Sequence, residues 1–500
     1  MSARTRRDPG ADTELISAMS RLRIGPKLLA IAVGIVLWSA IVVIAVGHPL
    51  PVFTVLLGVA AVVAIFRYPI LALAFLLLIQ PFNVAIFTAI KSHTGVGPGP
   101  LEYWKDAVII ALFARGLVER LIKDRRFPIE HAGDNLIMFY VLAFIGIAIA
   151  SPSRGTLLPA LGLYIEGPLL FLAIRWLRPT KEDLRFLVGA MLLAAGIMGA
   201  AALIEWFGPR LAFHRWYGAV PPPDGEPFVL PSGGYRAGSF ITDPLILGFY
   251  LAAAVPFAAA VATVRSKIRW IAAGAAGLGA GGLIVTLTRS GYIGGAVGVL
   301  IVFALTVRNP AVRLSMVGLV VVIAGTISIY YVASNNQNLV RSESNSSHIQ
   351  HLSTDVELLV AKPFGYGLGT TDRNRFRPNA GQGQLGATES TFLARALESG
   401  VQGLILYLVM LYALLMRLRA ARIRARARGD TEHIALAAGA IGAVIALSVA
   451  GLFLGVQELV VEILLWGIPA LALAWPERHP GPGQTRPSRR SRVGDPLVSA

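Results

Sequence analysis

Arg289 separates two uncharged apolar stretches. Residues 271–288 carry no charge, Arg289-Ser290-Gly291 follows, and residues 292–307 are again uncharged. A guanidinium at the centre of a bilayer costs about 2.5–3.5 kcal/mol or more, so Arg289 belongs at an interface or beside a wet cavity. A cation fixed there suits an anionic, lipid-linked substrate. An arginine that merely snorkels to the headgroups at a tight turn is the plainer alternative.

Other polar groups cluster further along. Glu389 stands where the chain re-enters apolar sequence at Thr391. A carboxylate at such a border can hold a raised pKa and take a proton from a sugar hydroxyl, or it can simply favour a helix N-terminus. Arg373, Arg375 and Arg377 form a basic run in a segment otherwise poor in basic residues. They suit anion binding or a solvated loop. The glycines Gly365, Gly367 and Gly369 could let backbone N–H groups approach a phosphate, or could only loosen the loop. His348, His351 and Asp355 share one face at helical spacing, with Ile349, Leu352, Val356 and Leu359 on another. That pattern predicts an amphipathic helix on a membrane surface, opened by a Ser347–Gln350 capping box and stopped by Pro363. With no further ligand in reach, no metal site is expected there. Glu166 lies inside an apolar run. It is either functional or the buried partner of an arginine.

The elements that must position these residues are membrane helices. Of the 500 residues, 55% are hydrophobic and 15% charged, where a soluble protein carries about a quarter charged. Apolar runs recur at 28–47, 51–66, 69–90, 104–118, 134–150, 157–174, 186–206, 240–264, 270–288, 291–307, 314–333, 392–416, 433–454 and 458–475. The expected fold is therefore an all-α polytopic transmembrane bundle of about 12–14 spans. With 0 cysteines there is no disulfide and no thiolate chemistry.

The net charge of +17 is not spread evenly. Basic residues sit before 28, at 67, 120–126, 175–185, 265–269, 308–313 and 417–428, which puts alternate loops in the cytoplasm under the positive-inside rule. This distribution, with no aromatic-basic groove, argues against nucleic-acid binding. The run 28–47 reads as a signal anchor. Residues 1–27 form a cytoplasmic tail, 28–333 the main bundle with an outer loop at about 207–239, 334–391 a large extracytoplasmic loop, 392–475 the last spans, and 476–500 a disordered cytoplasmic tail.

Three blocks together resemble the O-antigen ligase and polymerase superfamily of bacterial membrane glycosyltransferases. The first is Arg236-Ala-Gly-Ser-Phe-Ile-Thr-Asp-Pro244, similar to an arginine-glycine-phenylalanine turn that usually continues Asn-Pro. The second is Thr286-Leu-Thr-Arg289-Ser-Gly291. The third is Lys362-Pro-Phe-Gly-Tyr-Gly-Leu-Gly369 with Glu389-Ser-Thr-Phe-Leu and Glu398-Ser-Gly400-Val-Gln-Gly403. The resemblance covers roughly 230–415 and implies a GT-C-like bundle.

It also implies metal-independent, cofactor-free transfer of glycan from an undecaprenyl-diphosphate-linked oligosaccharide to a glycan or glycolipid acceptor. The reaction would run on the outer face of a bacterial plasma membrane, with both termini cytoplasmic. Carried over, Arg236 and Arg289 hold the diphosphate. Glu389 stands where ligases begin a His-Asn-x-Tyr-Leu run, and His348 stands where many members have an arginine. The reading is then Glu389 as base with Arg236 and Arg289 as diphosphate clamp. Arg373, Arg375, Arg377, His348, Gly367, Gly369 and Glu166 are expected to contact substrate, and membrane lipid surrounds the bundle. A transporter or flippase of lipid-linked sugars is the rival reading, with Glu166 as its midplane acid.

Overall fold

The computed structural model describes residues 49–94, 103–123, 132–151, 157–208, 235–307, 342–371, 390–455 and 458–476, and the single positions 309, 311, 314, 315 and 388. Among them there is no strand. The helices are α1 (Pro49–Arg67), α2 (Pro69–Ile79), α3 (Asn83–Thr94), α4 (Trp104–Val118), α5 (Ala132–Ala150), α6 (Leu157–Leu177), α7 (Lys181–Phe207), α8 (Pro244–Ala262), α9 (Arg269–Val285), α10 (Arg289–Thr306), α11 (Ser342–Ala361), α12 (Thr391–Ala427), α13 (Thr431–Phe453) and α14 (Leu459–Leu473). Seven of the described helical stretches are long and apolar enough to cross a membrane, and shorter apolar helices accompany them. The chain is an all-α polytopic bundle. Helix α1 belongs to a separate compact unit, residues 1–68; all that follows concerns residues 69–500.

Helix starts follow local chemistry. Thr180 and Asp183 form a reciprocal capping box at α7. Asp243 caps α8 with Oδ1 accepting from Leu245 N–H (2.6 Å) and Ile246 N–H (3.2 Å), and Pro244 takes the first helical position. Asp243 thus performs a capping role open equally to the asparagine usual in the related turn. Helix α8 is apolar on every side and buried along nearly its whole length, against α9, α10 and α13. Helix α10 packs on α13 through glycine. A Cβ at Gly294 would lie 2.4 Å from the Ala446 carbonyl, and one at Gly298 would lie 2.8 Å from that of Gly442. Small residues let these backbones touch where lipid supplies no hydrophobic drive between helices.

Most expected spans are helices within a few residues, but four details differ. The run 69–90 is broken, because Pro81 lacks an N–H and forces a short 3-10 turn, Gln80–Phe82, between α2 and α3. Helix α12 runs on to Ala427, since Ala, Leu and Arg are strong helix formers, and it is kinked at Gly400 (φ 77°). Helix α11 starts at Ser342, ahead of the Ser347 capping box, and stops before Pro363 as expected. Asp355 is buried, while Leu352, Val356 and Val360 are exposed. The expected run 28–47, the run 314–333 beyond residue 315, and the tail beyond residue 476 lie outside the described residues.

Helices alternate in direction, so the charges segregate. At one end Asp134 receives Arg417 Nη2 at 3.0 Å and faces Arg175 Nη2 at 3.6 Å. At the same end Lys181 reaches Asp430 (3.2 Å) and Arg185 reaches Glu432 (2.7 Å). This is the basic end. The other end gathers the C-terminus of α7, the turn before α8, the α9–α10 turn and the start of α12.

Candidate active site

At that second end, residues 235–244 fold around one buried carboxylate. Glu205, in the last turn of α7, is fully buried. It accepts from Tyr235 O–H (2.6 Å), Gly238 N–H (3.1 Å) and Ser239 N–H (2.8 Å). Three charge-assisted bonds onto one anion hold the segment firmly. Arg236 is thereby aimed at the α9–α10 turn. Its Nε donates to Thr286 O (3.1 Å) and its Nη2 to Thr288 Oγ1 (3.1 Å). Ala237 N–H donates to Val285 O (3.1 Å), and Thr288 Oγ1 donates to Pro244 O (3.0 Å).

The next residue is Arg289, exposed at the first position of α10. Two arginines 53 positions apart in the chain therefore share one turn. The backbone there is strained. Ser239 (φ 51°), Thr242 (φ 66°) and Leu287 (φ 51°) all lie in the left-handed region. Each such residue costs about 1–3 kcal/mol, and strain of this kind concentrates at functional sites.

A second constellation lies at the start of α12. The segment 362–371 docks onto the kink. Tyr366 N–H donates to Leu397 O (2.7 Å), Gly367 N–H to Glu398 O (3.0 Å) and Val401 N–H to Pro363 O (2.9 Å). The Glu398 carboxylate, buried, accepts from Gly369 N–H (3.0 Å), Thr371 N–H (3.1 Å), Thr371 Oγ1 and Tyr164 O–H (3.0 Å). The N–H groups of Gly367 and Gly369 are therefore engaged inside the protein, so the glycines serve to seat the loop on the helix. Gly365 (φ 89°) shows why: a Cβ there would lie 2.5 Å from Gly400 N.

Beneath this, Arg395 pairs with Glu462 and donates to Tyr140 O–H (3.1 Å), with its guanidinium against the rings of Tyr164 (5.0 Å) and Tyr407 (4.1 Å). Trp466 Nε1 donates to the same Glu462 (2.9 Å). One buried polar network thus ties α5, α6, α12 and α14 together beneath the 362–371 loop.

The structure brings Arg236 and Arg289 together. It buries Glu166 within α6, where its carboxylate covers Gly162. It gives His348 a place in α11. Glu389, Arg373, Arg375 and Arg377 lie outside the described residues. The neighbours of Glu389 are anchored: Thr388 and Ser390 are buried, and Ser390 Oγ donates to Gly451 O (3.1 Å) on α13.

The α9–α10 turn, its arginine and the 362–403 constellation all fall in one stretch that has a known counterpart. Residues 274–408 match the O-antigen ligase family. The resemblance read from the second and third sequence blocks is borne out across that stretch. No curated protein matches the chain.

Sequence alone assigns no role to Glu205 or Glu398, the two carboxylates that organise these segments, although Glu398 lies in the third block. In sequence Glu205 is an acid at the end of the apolar run 186–206, with nothing local to mark it. The Glu398-Ser-Gly400 triplet holds a usable signal, an acid two residues before a glycine near the start of a long helix.

Proposed function

We propose that this protein moves a glycan from a polyprenyl-diphosphate carrier to a sugar acceptor at the outer face of a bacterial plasma membrane. The observation that carries the reading is the convergence of Arg236 and Arg289 on the 286–289 turn. An acceptor hydroxyl attacks the anomeric carbon, and its C–O bond forms as the bond to the diphosphate oxygen breaks. The bonding pair leaves with the diphosphate, whose gathering charge needs fixed cations. Guanidinium forks fit phosphate oxygens and stay charged at any working pH. The hydroxyl proton passes to a base, for which Glu389 is the candidate. Glu205 and Glu398 are unsuited to that step, since each already accepts several internal hydrogen bonds.

The O-antigen ligase match supports the transfer, and the charge segregation supports the outer face. A transporter is less well supported, because the cations gather at one end of the bundle instead of the midplane.

The test is transfer by purified protein, supplied with polyprenyl-diphosphate oligosaccharide and acceptor, with no nucleotide and no ion gradient. Arg289→Ala should lose about 100-fold or more, the scale of one transition-state charge contact. Arg289→Lys should recover little of it, because an ammonium offers a point charge without a fork. Wild-type turnover should survive a chelator. Full turnover in the alanine variant removes Arg289 from the site.

A further inference from the structure

The basic end holds an open concavity of about 480 Å³ far from the transfer site. Its wall is the link between α8 and α9, comprising Arg265, Ser266, Lys267, Arg269 and Trp270. Arg265, Lys267 and Arg269 are exposed, and among the described residues no carboxylate pairs with them. The acid on the far wall, Glu432, is held by Arg185 at 2.7 Å, and Glu182 lies 3.6 Å from the same guanidinium. The concavity is therefore cationic. The Ser266 hydroxyl lines it, enclosed and without a hydrogen-bond partner among the described residues. Helix α9 opens there with no side-chain cap, so its first N–H groups add partial positive charge.

Apolar features complete the site. Trp270 is 79% exposed, with the Arg269 guanidinium 5.6 Å from its ring. An exposed indole at the end of an apolar helix belongs at headgroup level. Below it, Ile271 and Leu278 on α9 and Leu193 and Ile197 on α7 face outward, and these two helices pack side by side. Soluble phosphate would use the cations and leave the indole and the apolar strip without a role. A phospholipid uses all of them.

We propose that this concavity binds an anionic glycerophospholipid, with its headgroup phosphate among Arg265, Lys267 and Arg269 and its acyl chains along the α7–α9 face. The proposal is independent of the transfer reaction and is read without it.

The test takes the full chain in neutral detergent and adds phosphatidylglycerol, phosphatidylcholine or inorganic phosphate separately. Lipid retention is followed by native mass spectrometry and stability by thermal unfolding. Phosphatidylglycerol should be retained and should raise the melting temperature, phosphatidylcholine should do so far less, and phosphate should do neither. The triple variant Arg265→Ala, Lys267→Ala, Arg269→Ala changes only exposed side chains, so its lipid-free melting temperature should hold. Its affinity for phosphatidylglycerol should fall about 100-fold, the expected weight of three basic residues near an anionic surface. Undiminished retention in that variant overturns the site. Equal protection by inorganic phosphate overturns the lipid as its occupant. Should the triple variant fail to fold, Lys267→Gln alone is measured, and unchanged retention there also overturns the site.

Discussion

Single side chains decide this chemistry in two ways. Arg289 was visible in the sequence because a lone charge between uncharged spans has few other places to be. Glu205 was not, because its three partners arrive about 30 residues later and no local pattern announces a long-range contact. Glu205→Gln removes the charge and leaves one oxygen for the two backbone N–H groups, with its N–H₂ facing Tyr235 O–H, the one partner able to accept. The Arg236 segment should loosen, with donor affinity falling about tenfold and the bundle remaining folded, because bonds worth about 1.5–3 kcal/mol to a charged acceptor become neutral ones worth about 1 kcal/mol. Tyr235→Phe removes one of the three donors and should do less. Measuring donor affinity beside helicity separates the two outcomes, and unchanged affinity in the Gln variant removes Glu205 from that role. Glu389→Gln tests the base directly. It should keep donor binding and lose transfer, because an amide cannot accept the acceptor's proton. If Glu389 only favours the start of α12, worth about 0.3–1 kcal/mol, the Gln variant will transfer normally.

At the scale of elements, apolar runs located nearly every described helix, because a helix in lipid must satisfy its own backbone and the run must be long enough to do so. What the runs could not tell is how segments meet. The glycines 365–369 looked equally fit for a phosphate or for a slack loop, yet they dock on the α12 kink through Leu397, Glu398 and Val401. The deciding partner lies about 30 residues further on. Gly365→Ala should undock them, since its φ of 89° and a Cβ 2.5 Å from Gly400 N are both unfavourable. Hydrogen exchange in a peptide spanning 363–371 should rise sharply while the spanning helices stay protected. Protection equal to the parent's would mean the docking tolerates the methyl group.

Across the whole molecule, the two ends obey different rules. The positive-inside pattern makes the basic end legible, but no sequence pattern marks the acids that pair within it. Asp430, in the turn between α12 and α13, shows their use. Burial pushes its carboxyl up, but bonds from His433 N–H, the Trp475 indole and Lys181 outweigh that and hold it below the ordinary value. A depressed pKa adds stability that is present above the unfolded value, near 3.8, and is lost as pH falls through the folded one. Asp430→Asn should therefore cost about 1 kcal/mol at pH 7, solvent screening included, and the gap to wild type should close on acidification below about pH 4. Thermal unfolding of both proteins across that range checks it. A gap that stays constant would mean the carboxylate charge is idle.

The glycine contact between α10 and α13 reaches beyond packing. Gly294 and Gly298 lie five and nine residues past Arg289, which is about 7 and 14 Å down the helix at 1.5 Å per residue. Because these backbones already touch, a methyl group at either position must push α10 off its neighbour, and the helix carries its arginine with it. Tolerance to change in this protein is thus distributed along a line, not around a point. A survey of natural or laboratory variants would find forbidden positions threaded deep into the apolar interior, remote from any sugar or phosphate, with the stiffness of a lever arm as their only common property.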